Sequence, residues 1–372
     1  MNYCRQCILP STRPQLVLDS AGLCNACANH AGKPSINWQV RENDFKEVVR
    51  KAKSRSRGYD CVIPVSGGKD STWQVVECLK YGLNPLAATW KPPARTAIGS
   101  QNLANLISLG VDHIDYQINP KVEKKFLQAA LERYGSTAIP MHMAMFNIPL
   151  KIAVKFDIPL IVWGENSAFE YGSTEDSRHG FQLDSQWLKT FGVTHGTTAH
   201  DWISETLSEK ELTPYFGPSE KELTAKGVLA IFLGYYFEWD PLKTAEVARA
   251  HGFQSSTNGP KTGYYNFADI DDDFISIHHF LKWYKFGFTR TYDNLSLEIR
   301  NGRMSRRQAI EFLKTRGDET PREDIAKFCA FTDMPEKKFF ETIEKFRNPK
   351  IWVREQGNWK IKDFLIPDWN WS

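Results

Sequence analysis

Two groups of residues in this sequence have the types and the spacing that chemistry requires. The first is a set of four cysteines near the start of the chain, in two pairs: Cys4 with Cys7, and Cys24 with Cys27. Two residues separate the cysteines of each pair, and sixteen residues separate the pairs. Each short turn aims two thiolates at one point, so the spacing predicts a tetrahedral Zn²⁺ site with a structural role. An iron–sulfur cluster stays open as the alternative for the same ligands, whereas two disulfides would require an oxidising compartment.

The second group is a glycine-rich turn that follows the apolar segment 59–65 and precedes a helical pattern. Its residues are Ser66, Gly67, Gly68, Lys69, Asp70 and Ser71. The two glycines let backbone N–H groups approach an anion, and the following helix points its positive end at the same place. The lysine adds positive charge and the serine hydroxyls add hydrogen bonds, so the turn predicts a phosphate-binding loop. It is not a Walker A loop, because its spacing differs from G-x4-G-K-[ST].

The elements that must position these groups alternate along the middle of the chain. Short apolar segments predict strands at 59–65, 84–90, 112–118, 158–163 and 227–236. Amphipathic patterns between them predict helices at 72–81, 97–109, 121–134 and 142–156. Strands that are apolar on both sides and separated by helices predict a doubly wound α/β fold with a parallel sheet. Ligands of such a sheet gather at the carboxyl ends of its strands, where the glycine-rich turn would lie.

The predicted elements divide the chain into four parts. The division places a Cys4 zinc module at 1–35, a linker helix at 36–58, the doubly wound domain at 59–240 and a mainly helical substrate or partner domain at 241–372. Helical patterns in the last part lie at 240–251, 273–286, 305–316, 322–331 and 336–346, before a β-like tail at 351–366. Three further cysteines, Cys61, Cys78 and Cys329, have apolar sequence neighbours and are expected to be small buried hydrophobic residues.

Length, charge and hydropathy exclude several classes of protein. The chain has 372 residues, enough for two or three domains. Its 47 Lys and Arg against 44 Asp and Glu give a net charge of +3, which offers little support for a nucleic-acid partner. The longest apolar run, residues 227–237, is too short to span a membrane, and the N-terminus lacks the layout of a signal peptide. We therefore expect a cytoplasmic protein without a membrane partner.

The turn at residues 66–71 resembles the S-G-G-x-D-S loop of the PP-loop ATPases, also called N-type ATP pyrophosphatases. The resemblance implies that ATP is cleaved between its α and β phosphates, that the loop holds pyrophosphate, and that AMP passes to a carbonyl or amide oxygen. It implies catalytic roles for Lys69 and Asp70, with Mg²⁺ on the phosphates and Asp70 as a possible ligand. Further ATP-binding residues are expected at the ends of neighbouring strands: Thr89, Trp90, Gly164 and Glu165.

Longer motifs resemble the N-acetyl sugar amidotransferases of surface-polysaccharide biosynthesis. The O-antigen of lipopolysaccharide is one such surface polysaccharide. These motifs lie at residues 3–7, 22–27, 163–166, 170–172, 232–236, 282–290 and 298–303. The resemblance implies that the acetamido group of a nucleotide-activated sugar becomes an acetamidino group, because ATP adenylates the amide oxygen and ammonia replaces it. The first cysteines are assigned to metal, so the sequence offers no glutaminase nucleophile. The implied partners are a separate glutaminase subunit and a cyclase-like subunit, similar to the two halves of imidazole glycerol phosphate synthase.

Seven residues are candidates for substrate contact. Asn166, Glu170 and Tyr171 follow the predicted strand 158–163, at the edge of the sheet where ligands bind. Four basic residues recur at roughly helical spacing and could cradle the diphosphate of the nucleotide sugar: His278, Lys282, Lys285 and Arg290. A solvated basic helix face is the alternative for these four.

Two further charge clusters are assigned structural roles. The arginines Arg300, Arg303, Arg306 and Arg307 are expected to lie mostly at the surface, with one or two of them on phosphate. The acidic run 271–273 resembles the charged N-terminus of a helix rather than a metal site.

The main alternative function is that of a tRNA-modifying thiolase, a class that also pairs zinc cysteines with this loop. Such enzymes commonly need catalytic cysteines in the ATPase domain. The two cysteines in that part of this sequence, Cys61 and Cys78, form no C-x2-C pair and follow the apolar pattern. A non-catalytic nucleotide-binding scaffold is the third possibility, and the intact loop argues against it.

Overall fold

The computed structural model of the chain describes residues 1–173, 182–183, 187–189, 193–367 and 369. Its centre is a sheet of five strands. The strands are β1 Cys61–Pro64, β2 Pro85–Trp90, β3 Asp112–Tyr116, β4 Leu160–Trp163 and β5 Leu229–Phe232. They lie in the order β3-β2-β1-β4-β5, and every neighbouring pair is parallel. The predicted parallel sheet is therefore confirmed.

Helices connect the strands and make up most of the C-terminal part. In chain order they are α1 Asn25–Ala31, α2 Trp38–Arg55, α3 Lys69–Lys80, α4 Ala97–Ile107, α5 Pro120–Tyr134, α6 Ala138–Lys155, α7 Ser167–Tyr171, α8 Glu220–Lys226, α9 Leu233–Tyr236, α10 Pro241–Ala250, α11 Ile275–Phe286, α12 Arg290–Arg300, α13 Arg306–Arg316, α14 Arg322–Thr332 and α15 Glu336–Glu344. Short 3-10 helices lie at Lys33–Ser35, Ala199–Trp202 and Thr213–Tyr215, and the strands β6 Trp352–Glu355 and β7 Asn358–Ile361 form an antiparallel hairpin. Within the described ranges, no helix is both long enough and apolar enough to cross a membrane.

Both faces of the sheet are buried, which explains why its strands are apolar without alternation. On one face Val62 and Ile161 belong to a hydrophobic core that includes Phe126 of α5. On the other face Ile63 belongs to a second core that includes Trp73 of α3. Helices thus cover the sheet on both sides, and the predicted doubly wound α/β fold is confirmed.

The cysteine-rich N-terminus packs against the C-terminal helices and the hairpin. Cys7 shares a hydrophobic core with Trp283 of α11 and Trp352 of β6. The N-terminal ammonium group of Met1 donates a hydrogen bond to the carbonyl oxygen of Lys362 at 3.2 Å. The two ends of the described chain therefore lie together, while the division into domains at 35, 58 and 240 stays a prediction.

The strand order brings two loops together at the carboxyl edge of the sheet. From β1 the chain passes to β2 on one side, whereas from β4 it passes to β5 on the other side. A crevice forms where such an order reverses, and ligands of doubly wound sheets bind there. The loop after β1 holds residues 66–71, and the loop after β4 begins with Gly164 and Glu165. The topology therefore places the glycine-rich loop beside Glu165.

Among the boundaries that differ from the sequence-based expectation, two lie next to the cleft. Helix α3 begins at Lys69 instead of residue 72, because Gly68 in an extended conformation already starts the helix. The predicted strand 227–236 ends at Phe232, where the short helix α9 follows. The N–H of Gly234 in α9 donates to the carbonyl oxygen of Gly164 at 3.0 Å. This bond holds α9 next to the loop that follows β4.

Helix α12 is missing from the sequence-based prediction. Its apolar residues recur at helical spacing, but its polar residues Asp293 and Asn294 are buried with them, which an amphipathic pattern does not predict. Helix α11 ends at Gly287, which has a φ of 70°. Arg290 therefore starts a new helix and does not extend the face of α11 that carries Lys282, contrary to the expected helical spacing.

We predict that Gly67→Ala destabilises the protein more than Gly110→Ala does. Both glycines have a positive φ, 87° and 99° respectively, so a side chain at either position costs about 1 kcal/mol of backbone strain. An added Cβ at Gly67 would also lie 2.5 Å from the backbone N of Leu103 in α4, whereas no described atom lies within 4 Å at Gly110. The overlap should raise the loss of unfolding free energy at Gly67 to about 2–4 kcal/mol in urea denaturation. Equal losses at the two positions would contradict the close packing of the loop on α4.

Candidate active site and metal centre

A cleft with about 660 Å³ of unfilled space, part of it open to solvent, lies outside the carboxyl ends of β1 and β4. One wall is formed by Ser66, Gly68, Lys69, Asp70, Ser71 and Glu165. The other wall is formed by Tyr265, by residues 267–271 and by three side chains of α12: Arg290, Asn294 and Leu297. A cleft of this size with converging polar groups has the properties of a ligand-binding site.

The glycine-rich loop is braced by its own serines. The Oγ of Ser66 accepts a hydrogen bond from the N–H of Gly68 at 3.2 Å, and the hydroxyl of Ser71 donates to the carbonyl oxygen of Gly68 at 3.0 Å. Gly68 precedes α3 and has no side chain that could cap the helix. The first N–H groups of α3 therefore lie at the cleft without a capping side chain, which is an arrangement that binds anions.

Lys69 and Asp70 form an ion pair at the start of α3. The ammonium group of Lys69 lies 5.3 Å from the ring centroid of Trp239, so the ring faces the cation. One oxygen of Asp70 accepts hydrogen bonds from the indole N–H of Trp239 at 2.9 Å and from the hydroxyl of Thr244 at 3.2 Å. Sequence reasoning missed Trp239 and Thr244, because they lie 169 and 174 positions away from Asp70 and carry no local motif.

Two carboxyl groups of the cleft have raised pKa values. Burial and the charge of Asp70 raise the pKa of Glu165 to about 7, although the charges of Lys69 and Arg290 work against this shift. Burial also raises the pKa of Asp271 to about 6. The cleft therefore contains groups that change protonation near neutral pH, as functional sites commonly do.

The acidic side chains of the cleft fit a magnesium ion bound together with phosphates. The carboxylates of Asp70, Asp269 and Asp271 line the cleft, and Mg²⁺ prefers oxygen ligands from one or two carboxylates plus phosphate groups. Asp271 corrects the expectation for the acidic run 271–273. Only Asp272 behaves as a helix-terminal group, since its Oδ1 accepts from the N–H of Phe274 at 3.2 Å, whereas Asp271 belongs to the cleft.

Two residues that were expected to bind ATP are engaged outside the cleft lining. The hydroxyl of Thr89 donates to the carbonyl oxygen of Val65 at 2.7 Å. The indole N–H of Trp90 donates to Glu123 at 2.9 Å, and the ring lines a second, smaller cavity. Gly164 is buried directly after β4. Among the residues beyond the loop that were expected to bind ATP, Glu165 is the one that lines the cleft.

The three candidate substrate residues after β4 have different surroundings. The side-chain oxygen of Asn166 accepts from the N–H of Ala168 at 3.0 Å and so starts α7. The carboxylate of Glu170 forms a buried ion pair with Lys33 at 2.8 Å. Tyr171 lines the cleft. Asn166 and Glu170 therefore shape the segment that presents Tyr171.

The four candidate basic residues separate into two groups. The cationic groups of Lys282 and Arg290 lie 3.5 Å and 3.9 Å from the same carboxylate oxygen of Asp293, and Arg290 lines the cleft. His278 instead lines the smaller cavity. Lys285 lies near the end of α11, where burial lowers its pKa to about 8. Of the predicted cradle, the structure brings together Lys282 and Arg290.

The four N-terminal cysteines form one cluster. All four are fully buried, and their Sγ atoms lie within 4.8 Å of one another. The Sγ atoms of Cys4 and Cys27 are 3.9 Å apart, and those of Cys7 and Cys24 are 3.7 Å apart. Zn–S bonds of about 2.3 Å in a tetrahedron place sulfurs about 3.8 Å apart, so the donor set fits zinc. The thiols are not paired as disulfides, and an iron–sulfur cluster stays the alternative.

Two arginines support this metal centre. The Nε of Arg306 donates to the carbonyl oxygen of Cys7 at 3.0 Å. Arg300 is only 6% exposed; burial opposes its charge, but the neighbouring thiolates, led by Cys7, raise its pKa. The expectation of a mostly exposed arginine cluster is therefore wrong for Arg300, which compensates thiolate charge around the metal site.

We predict that the purified protein contains about one zinc ion per chain and that Cys4→Ser loses it. Because the metal holds a segment with little core of its own, metal loss should also lower the melting temperature by several degrees. Cys329→Ser is the matched control, since Cys329 is also buried but is not one of the four clustered cysteines, so its loss should leave the zinc content unchanged. Metal analysis and thermal unfolding measure both effects. Visible absorption bands of an iron–sulfur cluster, or unchanged stability of Cys4→Ser, would contradict the prediction.

We predict that Glu165 makes stability fall as the pH rises towards neutrality. Its folded-state pKa of about 7 exceeds the ordinary value of 4.5. Its contribution to the free energy of unfolding is therefore greatest below pH 4.5 and is lost as the pH rises to about 7. Relative to Glu165→Gln, the wild type should lose roughly 1–3 kcal/mol of unfolding free energy over this window. Urea denaturation at several pH values measures the difference, with the exposed Glu132→Gln as control. A constant difference would contradict the raised pKa.

Comparison with known proteins finds a family-model match in the C-terminal part of the chain. Residues 261–365 match the family model described as the C-terminal domain of WbpG-like LPS biosynthesis proteins. Among solved structures, NMN synthetase from Francisella tularensis is similar, with 12% sequence identity and a TM-score of 0.35 over 80% of this chain and 94% of that chain. No curated protein matches the sequence.

The matched range contains the second wall of the cleft. This wall comprises residues 265 and 267–271 together with the side chains of α12. The range also contains the motifs at 282–290 and 298–303, by which the sequence resembles the sugar amidotransferases of surface-polysaccharide biosynthesis. The match confirms the predicted relationship to proteins of LPS biosynthesis for the matched part of the chain. Residues 261–365 are therefore similar to the C-terminal domain of WbpG-like LPS biosynthesis proteins.

Proposed function

We propose that this protein is an ATP-dependent, AMP-forming amidotransferase that acts on a nucleotide-activated N-acetyl sugar. In this proposal the acetamido group of the sugar becomes an acetamidino group for surface-polysaccharide biosynthesis of the O-antigen type. The reaction takes place in the cleft between the glycine-rich loop and α12, in the cytoplasm, where nucleotide sugars are made.

One observation carries the proposal: two different motifs face each other across a single cleft. The loop of residues 66–71, which resembles a pyrophosphate-binding loop, forms one wall. The opposite wall lies within the range that matches a domain of LPS biosynthesis proteins. An enzyme that uses ATP to activate a sugar needs such a shared cleft, because the α-phosphate and the amide oxygen must meet.

The proposed reaction has two steps. The acetamido oxygen attacks the α-phosphorus of ATP, the bond between this phosphorus and the bridging oxygen to the β-phosphate breaks, and pyrophosphate leaves. Ammonia then adds to the carbon of the adenylated imidate, the carbon–oxygen bond breaks, and AMP leaves with the former amide oxygen. The oxygen of an unactivated amide is a poor leaving group. Adenylation makes this oxygen part of AMP, which is a good leaving group.

The residues of the cleft have defined roles in this proposal. The ammonium group of Lys69 and the first N–H groups of α3 stabilise the charge on the departing pyrophosphate. A magnesium ion, when bound, would neutralise the phosphates, held by Asp70 and Asp271. The carboxylate of Glu165, with its pKa of about 7, would take the proton that the nitrogen loses after ammonia adds.

Ammonia would come from a separate glutaminase subunit, with a cyclase-like subunit in the complex. The proposal assigns Cys4 and Cys7 to the metal centre, where both thiols are fully buried. They are therefore unsuited to act as glutaminase nucleophiles.

The geometry favours this function over that of a tRNA-modifying thiolase. A thiolase of the kind considered would need an accessible cysteine at the ATP site. Cys61 and Cys78 are both fully buried, and they belong to the hydrophobic core on one face of the sheet. Burial raises the pKa of Cys61 well above its usual value, which keeps the thiol unreactive.

We predict that the protein forms AMP and an acetamidino product from a diacetamido nucleotide sugar, ATP, Mg²⁺ and ammonium. Mass spectrometry should show a product lighter by the difference between O and NH. Lys69→Ala should lower the turnover number by about 10²–10³-fold, because it removes a charge that stabilises pyrophosphate. Lys121→Ala, at an exposed position on α5, is the matched control and should keep full activity.

Two results would count against the proposal. Full activity of Lys69→Ala, with its zinc retained, would contradict the role of the loop. No product with any diacetamido nucleotide sugar, together with thiolation of tRNA, would favour the alternative enzyme class.

A further inference from the structure

We infer that Arg13, Lys282 and Arg290 form a second phosphate site in the cleft, which binds the diphosphate of the nucleotide sugar. Arg13 lies in the cysteine-rich segment between Cys7 and Cys24, so this segment contributes directly to substrate binding. The inference rests on the proposed function for the identity of the ligand, but the site itself follows from the arrangement of charges.

Three cationic side chains converge on one carboxylate. The Nε of Arg13 lies 2.9 Å from an oxygen of Asp293, and the cationic groups of Lys282 and Arg290 lie 3.5 Å and 3.9 Å from its other oxygen. The side chain of Asp293 is 1% exposed, whereas those of the three cations are 16%, 18% and 20% exposed. The carboxylate is therefore enclosed, and the cations lie between it and the solvent.

The cluster carries more positive than negative charge. Arg290 also pairs with Asp269 at 3.0 Å, so three cations face two carboxylates and one positive charge remains. Burial lowers the pKa of Lys282 to about 8 in spite of the attraction of Asp293. His279, next to the cluster, stays neutral because burial lowers its pKa. Excess positive charge in a partly buried place is unfavourable until an anion neutralises it.

The cluster reaches the cleft through Arg290. Arg290 lines the cleft together with Tyr171. The guanidinium carbons of Arg13 and Arg290 lie 5.3 Å and 5.8 Å from the ring centroid of Tyr171. Glu165 is close enough to Lys69 and to Arg290 for both charges to lower its pKa. Lys69 pairs with Asp70, whereas the cations of the cluster pair with Asp293 and Asp269, so the cleft has two separate sets of cations with different carboxylate partners.

This separation assigns a different phosphate ligand to each set. Lys69 and the N–H groups of α3 are placed for the phosphates of ATP. The two guanidinium groups of the cluster offer forked donors that match phosphate oxygens in pairs, and Lys282 adds a point charge. A diphosphate has enough oxygens to engage all three cations. The remaining diphosphate in the proposed reaction is that of the nucleotide sugar.

Two hydrogen bonds connect the segment that carries Arg13 to α7, which presents Tyr171 to the cleft. Nη1 of Arg13 donates to the carbonyl oxygen of Tyr171 at 3.1 Å. Nδ2 of Asn29, just after the second cysteine pair, donates to the carbonyl oxygen of Phe169 at 3.1 Å. The cysteine-rich segment is thus bonded to α7 through one residue between the two cysteine pairs and one residue after the second pair. It positions Arg13 and Tyr171 together, so the metal centre serves the substrate site as well as the fold.

The test measures binding of two nucleotides separately. Uridine diphosphate and guanosine diphosphate are titrated calorimetrically into the full-length, zinc-loaded protein saturated with a non-hydrolysable ATP analogue, which blocks the ATP site. Arg13→Ala and Lys282→Gln should weaken binding of the diphosphate that the wild type prefers by about ten- to a hundred-fold, as expected for the loss of one charged hydrogen bond. Affinity for the ATP analogue and zinc content should stay unchanged. Arg5→Ala, an exposed arginine of the same cysteine-rich segment, is the matched control.

Three outcomes of the titrations would overturn the inference. The wild type could fail to bind either diphosphate, both variants could bind as the wild type does, or Arg13→Ala could weaken the ATP analogue instead. The proposed function fails separately: a wild type that binds the diphosphate but forms no acetamidino sugar would leave this site intact. Conversely, if Arg13→Ala keeps the wild-type KM for the nucleotide sugar, the inferred site is contradicted, whereas the proposed function is unaffected.

Discussion

The close approach of Gly67 to α4 is the constraint on which the cleft depends. At this residue the backbone passes so near to Leu103 that a Cβ would lie 2.5 Å from a backbone nitrogen. The chain can make this turn only with a positive φ and without a side chain. The turn places Gly68 at the start of α3 and brings Lys69 and Asp70 into its first helical turn. The position of this helix end beside the cleft, at the carboxyl edge of the sheet, follows from this single packing contact.

Two cations of the cleft are paired with carboxylates. Lys69 binds Asp70, and Arg290 binds Asp269. These carboxylates hold each cation in place at the cleft, so little side-chain entropy is lost when a phosphate arrives. Under the proposed function, the arrangement would explain why acidic groups are so frequent in a site for anionic substrates. They orient the cations and would provide oxygen ligands for a magnesium ion.

The sheet and the loop could be predicted from sequence because their signals are local. Buried parallel strands are apolar in every position, and a glycine-rich turn between a strand and a helix has few other uses. The second wall of the cleft could not be predicted in the same way. Helix α12 buries Asp293 and Asn294 along with its apolar residues, and an amphipathic pattern does not predict such buried polar groups. The contact of Arg13 with Asp293 joins residues 280 positions apart, and no pattern along the chain encodes such a pair.

The central claim is that AMP is transferred to the amide oxygen of the sugar in this cleft. The most direct measurement follows ¹⁸O from the acetamido carbonyl of a labelled nucleotide sugar through one complete reaction. The account predicts that the label appears in the phosphate of AMP, because the former amide oxygen leaves on the α-phosphorus. Label in pyrophosphate, in inorganic phosphate or in water would contradict it, since each of these results requires a different bond of ATP or of the sugar to break.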